Sequence, residues 1–248
     1  MRINDSHCHF FSRHFFQVLI GQREFLSGGN AELRGEETIQ QVVQRLGLDL
    51  PGAPEELAHR WVAELEANRV SRSSLIASVP GDEDSVAIAL RHHPDRFVGF
   101  FMVDASQPDS PERVRRAIAE LGMKVACLFP AMQHFRLDHE RTLKVFEETA
   151  RHEHTAVFAH CGVLTVGIRK RLGLPSQFDI RLGQPLDLQV PAGRFPELPI
   201  IIPHFGAGFF SQALMVADLH SNIYLDTSSS NGWIKYHAGL TLKEVLRR

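Results

Sequence analysis

Ala156-Val157-Phe158-Ala159-His160-Cys161-Gly162 is the stretch that decides the fold. Its apolar run lacks the polar alternation of a half-solvated strand, so it reads as a strand buried on both faces, the kind found in a parallel sheet covered by helices. The run closes on a histidine and then a glycine. Ile200-Ile201-Ile202-Pro203-His204-Phe205-Gly206-Ala207-Gly208 repeats that order, an apolar run followed by histidine and glycines that permit close backbone approach. In a barrel of alternating strands and helices the C-terminal strand ends open on one face, so histidines far apart in sequence can converge there.

Working outward, Asp5-Ser6-His7-Cys8-His9 ends the first apolar stretch. A strand has a side-chain period of two, so His7 and His9 should point one way and Ser6 and Cys8 the other. Two imidazoles on one face are half a metal site, and they suit Zn, Fe, Ni and Cu alike. Surface histidines on an edge strand have the same spacing. Each of the chain's 14 histidines could also be a satisfied core group. The recurrence of histidine at the ends of three apolar runs favours convergence of His7, His9, His160 and His204.

Seven strands are expected: Arg2 to Ser6, Ser74 to Val79, Phe97 to Val103, Lys124 to Phe129, Ala156 to Ala159, Ile200 to Pro203 and Asn222 to Asp226. Between them apolar residues recur at three and four, predicting helices such as Glu55 to Asn68, Glu83 to His92, Pro111 to Leu121 and Glu140 to His152. Ser110 reads as the cap of the helix begun by Pro111, and Glu140 puts an acid at the positive end of another. Strands alternating with helices imply βαβ units and an α/β fold. Two long connections are expected to shape a pocket. One runs from Phe10 to about Pro54, with Phe10, Phe11, Phe15, Phe16, Arg13, Arg23 and Arg34; the other follows His160, with Ile168-Arg169-Lys170-Arg171-Leu172 and then Gln177 to Leu188. For any one of these arginines a solvated surface position competes with a substrate contact.

A length of 248 residues fits one (β/α)8 barrel domain over 1–248, and 44% hydrophobic residues supply one large core. The net charge of −2, with acids and bases interspersed, leaves no footprint for nucleic acid or an anionic membrane. Cys8, Cys127 and Cys161 are too few and too widely spaced for a disulfide framework or zinc ribbon, which favours a reducing cytoplasm. Cys8 and Cys161 read as small buried strand residues rather than ligands. A polar start at Met1-Arg2-Ile3-Asn4-Asp5 is unlike a signal peptide, and no stretch approaches the ~20 apolar residues of a membrane span.

Taken together, Asp5 to His9, Phe158 to Gly162, Pro203 to Gly208 and Tyr224-Leu225-Asp226-Thr227-Ser228 resemble the amidohydrolase superfamily, in the amidohydrolase-2 branch that includes aminocarboxymuconate-semialdehyde decarboxylase. The resemblance implies a TIM-type (β/α)8 barrel with His7, His9 and His160 as metal ligands, a divalent metal expected to be zinc, and His204 as the acid/base. It implies no role for Lys124, which stands at the wrong end of its strand for a carbamylated ligand. The family's eighth strand carries a Gly-Ser-Asp or Gly-Thr-Asp metal ligand, and nothing after Asp226 reads as that strand, so the eighth βα unit is expected to be missing. Asn231 to Tyr236 is followed by Leu240 to Arg248, which reads as the start of the helix after strand seven, and Asp226 reads as a structural residue. The resemblance implies a hydrolase acting through a metal-activated water on an amide, ester or lactone bond of a small molecule. Two alternatives remain open: a nonoxidative decarboxylase, a carbon–carbon lyase on the same site, and a noncatalytic metal-binding barrel that lacks the aspartate. Homo-oligomerisation is compatible with each.

Overall fold

A computed structural model of the chain describes residues 3–26, 39–45, 47–172, 174–175, 178–228, 236–237, 239, 241 and 243. In chain order its elements are β1 Ile3–Asp5, β2 His9–Phe10, α1 Arg13–Leu26, α2 Ile39–Arg45, α3 Pro54–Ala67, β3 Val70–Ala77, α4 Glu83–His92, β4 Phe97–Met102 and α5 Ser110–Ala119. They continue with β5 Val125–Leu128, α6 Pro130–Gln133, α7 Glu140–Ala150, β6 Ala156–Ala159, α8 Gly167–Arg171, α9 Gln189–Arg194, β7 Ile200–Ile202, α10 Phe210–Leu219 and β8 Ile223–Leu225. The fold is α/β, as expected. No helix among the described residues is long and apolar enough to cross a membrane.

Packing divides the chain into two compact units. The first comprises Met1–Met102, Leu121–Met123 and Thr165–Ser176. Its sheet is parallel: β1 and β2 both pair with β3, the latter in the register His9↔Ile76 and Phe10↔Ala77, and β3 pairs with β4 from Ser73↔Phe97 to Ala77↔Phe101. Leu75, Ile76, Ala77, Phe100 and Phe101 of the paired strands are buried, the two-faced burial that the apolar runs predict. A second apolar cluster joins Phe15, Phe16, Leu19 and Ile20 of α1 to Val43, Val79, Leu172 and Leu174. These α1 residues recur at helical spacing, so much of the connection expected as a loop is helix.

The second unit comprises Val103–Glu120, Lys124–Leu164 and Gln177–Arg248. Here β5 pairs with β6, β6 with β7 and β7 with β8, all parallel. Every residue of β5 and of β6 is buried. Asn222, buried just before β8, donates its side-chain N–H groups to the carbonyls of Ala192, Phe195 and Leu198, anchoring the chain between α9 and β7.

Two details differ from expectation. The first strand is two pieces, because the Asp5 carboxylate accepts the His7 N–H at 3.0 Å; that side-chain bond turns the backbone out of the ladder until His9 resumes it. Ser110 is not the cap of α5: Asp109 takes that position without a side-chain bond, and Ser110 is already helical. At α7 the acid expected at the positive end is in place, Glu140 opening the helix, and His139 caps it, its Nδ1 accepting the Arg141 N–H at 3.2 Å. Arg2, Arg34, Gln177 and most of Asn231 to Arg248 lie outside the described residues. Among the described residues no strand follows β8.

Candidate functional site

His7 and His9 lie in the first unit with ring centroids 5.3 Å apart, tilted by 58°. Period-two alternation in one strand is not what brings them together, since the ladder breaks between them. His7 is half-buried in the turn held by Asp5, whereas His9 opens β2 and is exposed. His9 is fixed on two sides. Phe11 stacks on its face at 5.5 Å, and Ser78 Oγ lies 2.8 Å from its Nδ1. Cys8, between the two histidines, is half-buried, and burial pushes its thiol pKa up to about 11. A thiol held neutral at physiological pH is a poor metal ligand.

His160 and His204 form a second pair in the second unit, ring centroids 5.3 Å apart and edge-on at 63°. His160 follows β6, is 3% exposed, and stacks on Phe129 at 5.6 Å. The adjoining Cys161 is fully buried, and burial drives its thiol pKa upward, in keeping with a structural role. Gly162 has φ +79°, and its N–H donates to Gly183 O at 2.9 Å while the next residue, Val163, donates to Ala207 O at 2.8 Å. The second of these bonds lays the loop after His160 directly on the loop after His204.

The segment carrying His204 is backbone-strained. His204, Phe205 and Ala207 have φ of 55°, 48° and 41°, a left-handed run that costs non-glycine residues roughly 1 to 2 kcal/mol each. Such strain persists only where surrounding structure imposes it, and it gathers at functional sites. Asp226 supplies part of that imposition. It is buried, its carboxylate accepts the Ser228 N–H, its carbonyl accepts the Phe205 N–H at 3.1 Å, and its own N–H donates to Ile202 O at 3.0 Å. Asp226 thus braces the turns after β7 and β8, the structural role expected of it. The Ser228 carbonyl lies 2.9 Å from His204 Nδ1, and Ser228 Oγ is also 2.9 Å away. A carbonyl only accepts, so this bond puts the His204 proton on Nδ1 and leaves Nε2 basic.

The four histidines therefore stand as two pairs, His7 with His9 and His160 with His204. Among the described residues no group of three or more His, Cys, Asp or Glu is disposed to hold a metal ion. The donor chemistry of each pair still fits one. Imidazoles sharing a tetrahedral ion at about 2.1 Å from each nitrogen have centroids roughly 5 Å apart, close to the spacing in both pairs. Lys124 is exposed at the start of β5, remote along that strand from Phe129. Sequence reading missed Ser78 and Ser228. Their only signal is position, each just beyond a strand's C-terminal end.

A family model described as Amidohydrolase matches residues 5–243. No curated protein matches the chain by sequence. Among solved structures, an uncharacterised TIM-barrel protein of Bordetella bronchiseptica superposes with a TM-score of 0.59 at 16% identity, covering 91% of this chain and 74% of that one. A 5-carboxyvanillate decarboxylase of Novosphingobium aromaticivorans, solved with bound manganese, gives 0.54 at 19% identity, with 90% and 74% covered. A probable 2-pyrone-4,6-dicarboxylic acid hydrolase of Acinetobacter baumannii, solved with citric acid, gives 0.55 at 13% identity, with 96% and 78% covered. These likenesses establish the TIM-type barrel fold.

Proposed function

The chain belongs to the amidohydrolase family, and on that premise we propose that it is a metal-dependent enzyme hydrolysing an amide, ester or lactone bond of a small organic molecule. His7, His9 and His160 would hold one divalent ion through imidazole nitrogens, with zinc the expected metal. The observation that carries the reading is the pairing of histidines at matched spacing, within a chain matched by one family model over nearly its whole length. That single match also supports treating the two units as one barrel domain.

When bound, the ion would act as a Lewis acid, polarising a substrate carbonyl and making water acidic enough to ionise near neutral pH. The remaining tasks fall to the chain's own residues. His204, its proton held on Nδ1 by the Ser228 carbonyl, offers Nε2 to take a proton from the attacking water and return it to the leaving group. The Asp226 brace keeps that imidazole from swinging away. Phe129, stacked on His160, covers one ring face with apolar surface and keeps water from it.

Nonoxidative decarboxylation is a second reading, favoured by the likeness to a manganese-bearing decarboxylase. In it His204 would deliver the proton that replaces carbon dioxide. Three free cysteines, two of them fully buried, support a reducing compartment for the enzyme. The test is a screen of the zinc- and manganese-loaded chain against lactones, amides, esters and aromatic carboxylic acids. Metal-dependent turnover of a lactone, amide or ester supports the hydrolase, carbon dioxide release supports the lyase, and metal binding without turnover of any class supports a noncatalytic barrel.

A further inference from the structure

Ser78 follows β3 directly and is half-buried. The register His9↔Ile76 sets its hydroxyl diagonally beside the His9 ring, the reach expected between neighbouring strands. A serine hydroxyl has one proton and two lone pairs. Ser78 Oγ donates that proton to Ile76 O at 3.1 Å, so a lone pair faces His9 Nδ1 at 2.8 Å. With the hydroxyl proton committed, the bond between the two side chains needs its proton from the imidazole.

From this geometry we propose that Ser78 is a positioning residue which holds His9 as its Nδ1–H tautomer and thereby makes Nε2 the ligating nitrogen. The Nδ1–H form is the less favoured tautomer of a free histidine side chain, so it must be imposed. Phe11, stacked on the ring at an interplanar angle of 13°, blocks the rotation that would exchange the two nitrogens. In metal sites the hydrogen bond to the second ring nitrogen orients a histidine ligand and raises its basicity, and losing such a partner typically weakens metal affinity 10- to 100-fold. His204 meets a carbonyl instead. At His9 the group facing Nδ1 is a side-chain hydroxyl, where substitution can reach it.

The inference about affinity rests on the metal reading above, whereas the tautomer does not, and the experiment separates them. Long-range proton–nitrogen NMR of the metal-free full chain, above the imidazole titration range and assigned with His9→Gln, reads which His9 nitrogen is protonated. Competition with a chromogenic chelator reads zinc affinity. The expected result is Nδ1–H in the wild type, a shift toward Nε2–H with roughly 10- to 100-fold weaker zinc binding in Ser78→Ala, and recovery of both in Ser78→Thr. An Nε2–H wild type, or a Ser78→Ala chain that keeps both tautomer and affinity, overturns the proposal. A wild type that shows Nδ1–H yet binds no zinc upholds the hold of Ser78 on His9 and refutes the metal reading instead. Should Ser78→Ala fail to fold, the wild-type tautomer and the Ser78→Thr chain still decide the matter.

Discussion

Replacing Gly162 by alanine should be among the most damaging single-methyl additions in the chain. A Cβ at that position would sit 2.1 Å from Gly206 O and 2.4 Å from Ala207 O, both backbone atoms, against the 3.4 Å or more of ordinary contact. No rotamer relieves such a clash. One loop must retreat by roughly 1 Å, which breaks the Val163 N–H to Ala207 O bond and leaves buried polar groups unsatisfied at about 1 to 3 kcal/mol. The φ of +79° adds about 1 to 2 kcal/mol for a residue that has a Cβ. The sum, about 2 to 5 kcal/mol, is a large share of the ~5 to 15 kcal/mol available to a folded domain. Gly122 separates the two contributions, since it has φ +73° but nothing within 4 Å of its missing Cβ. Urea denaturation should therefore show Gly122→Ala losing about 1 to 2 kcal/mol and Gly162→Ala at least about 1 kcal/mol more, by a shift in midpoint rather than slope. Equal losses in the two variants would refute the argument that this glycine lets the His160 loop lie against the His204 loop.

Asp82 is buried, takes the Ser12 hydroxyl at 2.7 Å, and has its pKa raised chiefly by that burial. A raised folded pKa means the native state holds the proton more tightly than the unfolded chain. The stabilisation is full below the ordinary carboxylate range and is lost as pH rises through the raised value. Asp82→Asn, which does not ionise, should therefore gain stability relative to wild type between about pH 4 and pH 7 in parallel urea titrations, and a gap that narrows as pH rises would contradict this. His204→Gln should lose turnover by about 100-fold or more while retaining bound metal, and equal loss of both would make His204 a ligand.

The strand Ala156–Ala159 and the helix Glu83–His92 were readable to the residue, because an unbroken apolar run and a three-and-four spacing each leave little choice. The break in the first strand was not readable. It depends on one carboxylate competing for the His7 N–H, and hydropathy patterns carry no record of such side-chain bonds. The α1 helix was hidden by Arg13, His14 and Gln17 among its phenylalanines, and its apolar stripe gains meaning only beside Val43 and Leu172. Histidine at strand ends was legible as a candidate site because strand ends are where α/β proteins do chemistry. The groups that face the Nδ1 atoms of His9 and His204, the Ser78 hydroxyl and the Ser228 carbonyl, were not, since each comes to its histidine only through tertiary structure.

Metal content of the full chain and of three single variants tests the central claim most directly. After loading with zinc or manganese and dialysis, elemental analysis should find about one equivalent bound to the wild type, with occupancy reduced roughly ten-fold or more in each of His7→Ala, His9→Ala and His160→Ala. A wild type that retains no ion, or a His160→Ala chain that holds as much as the wild type, would contradict a centre built from all three histidines.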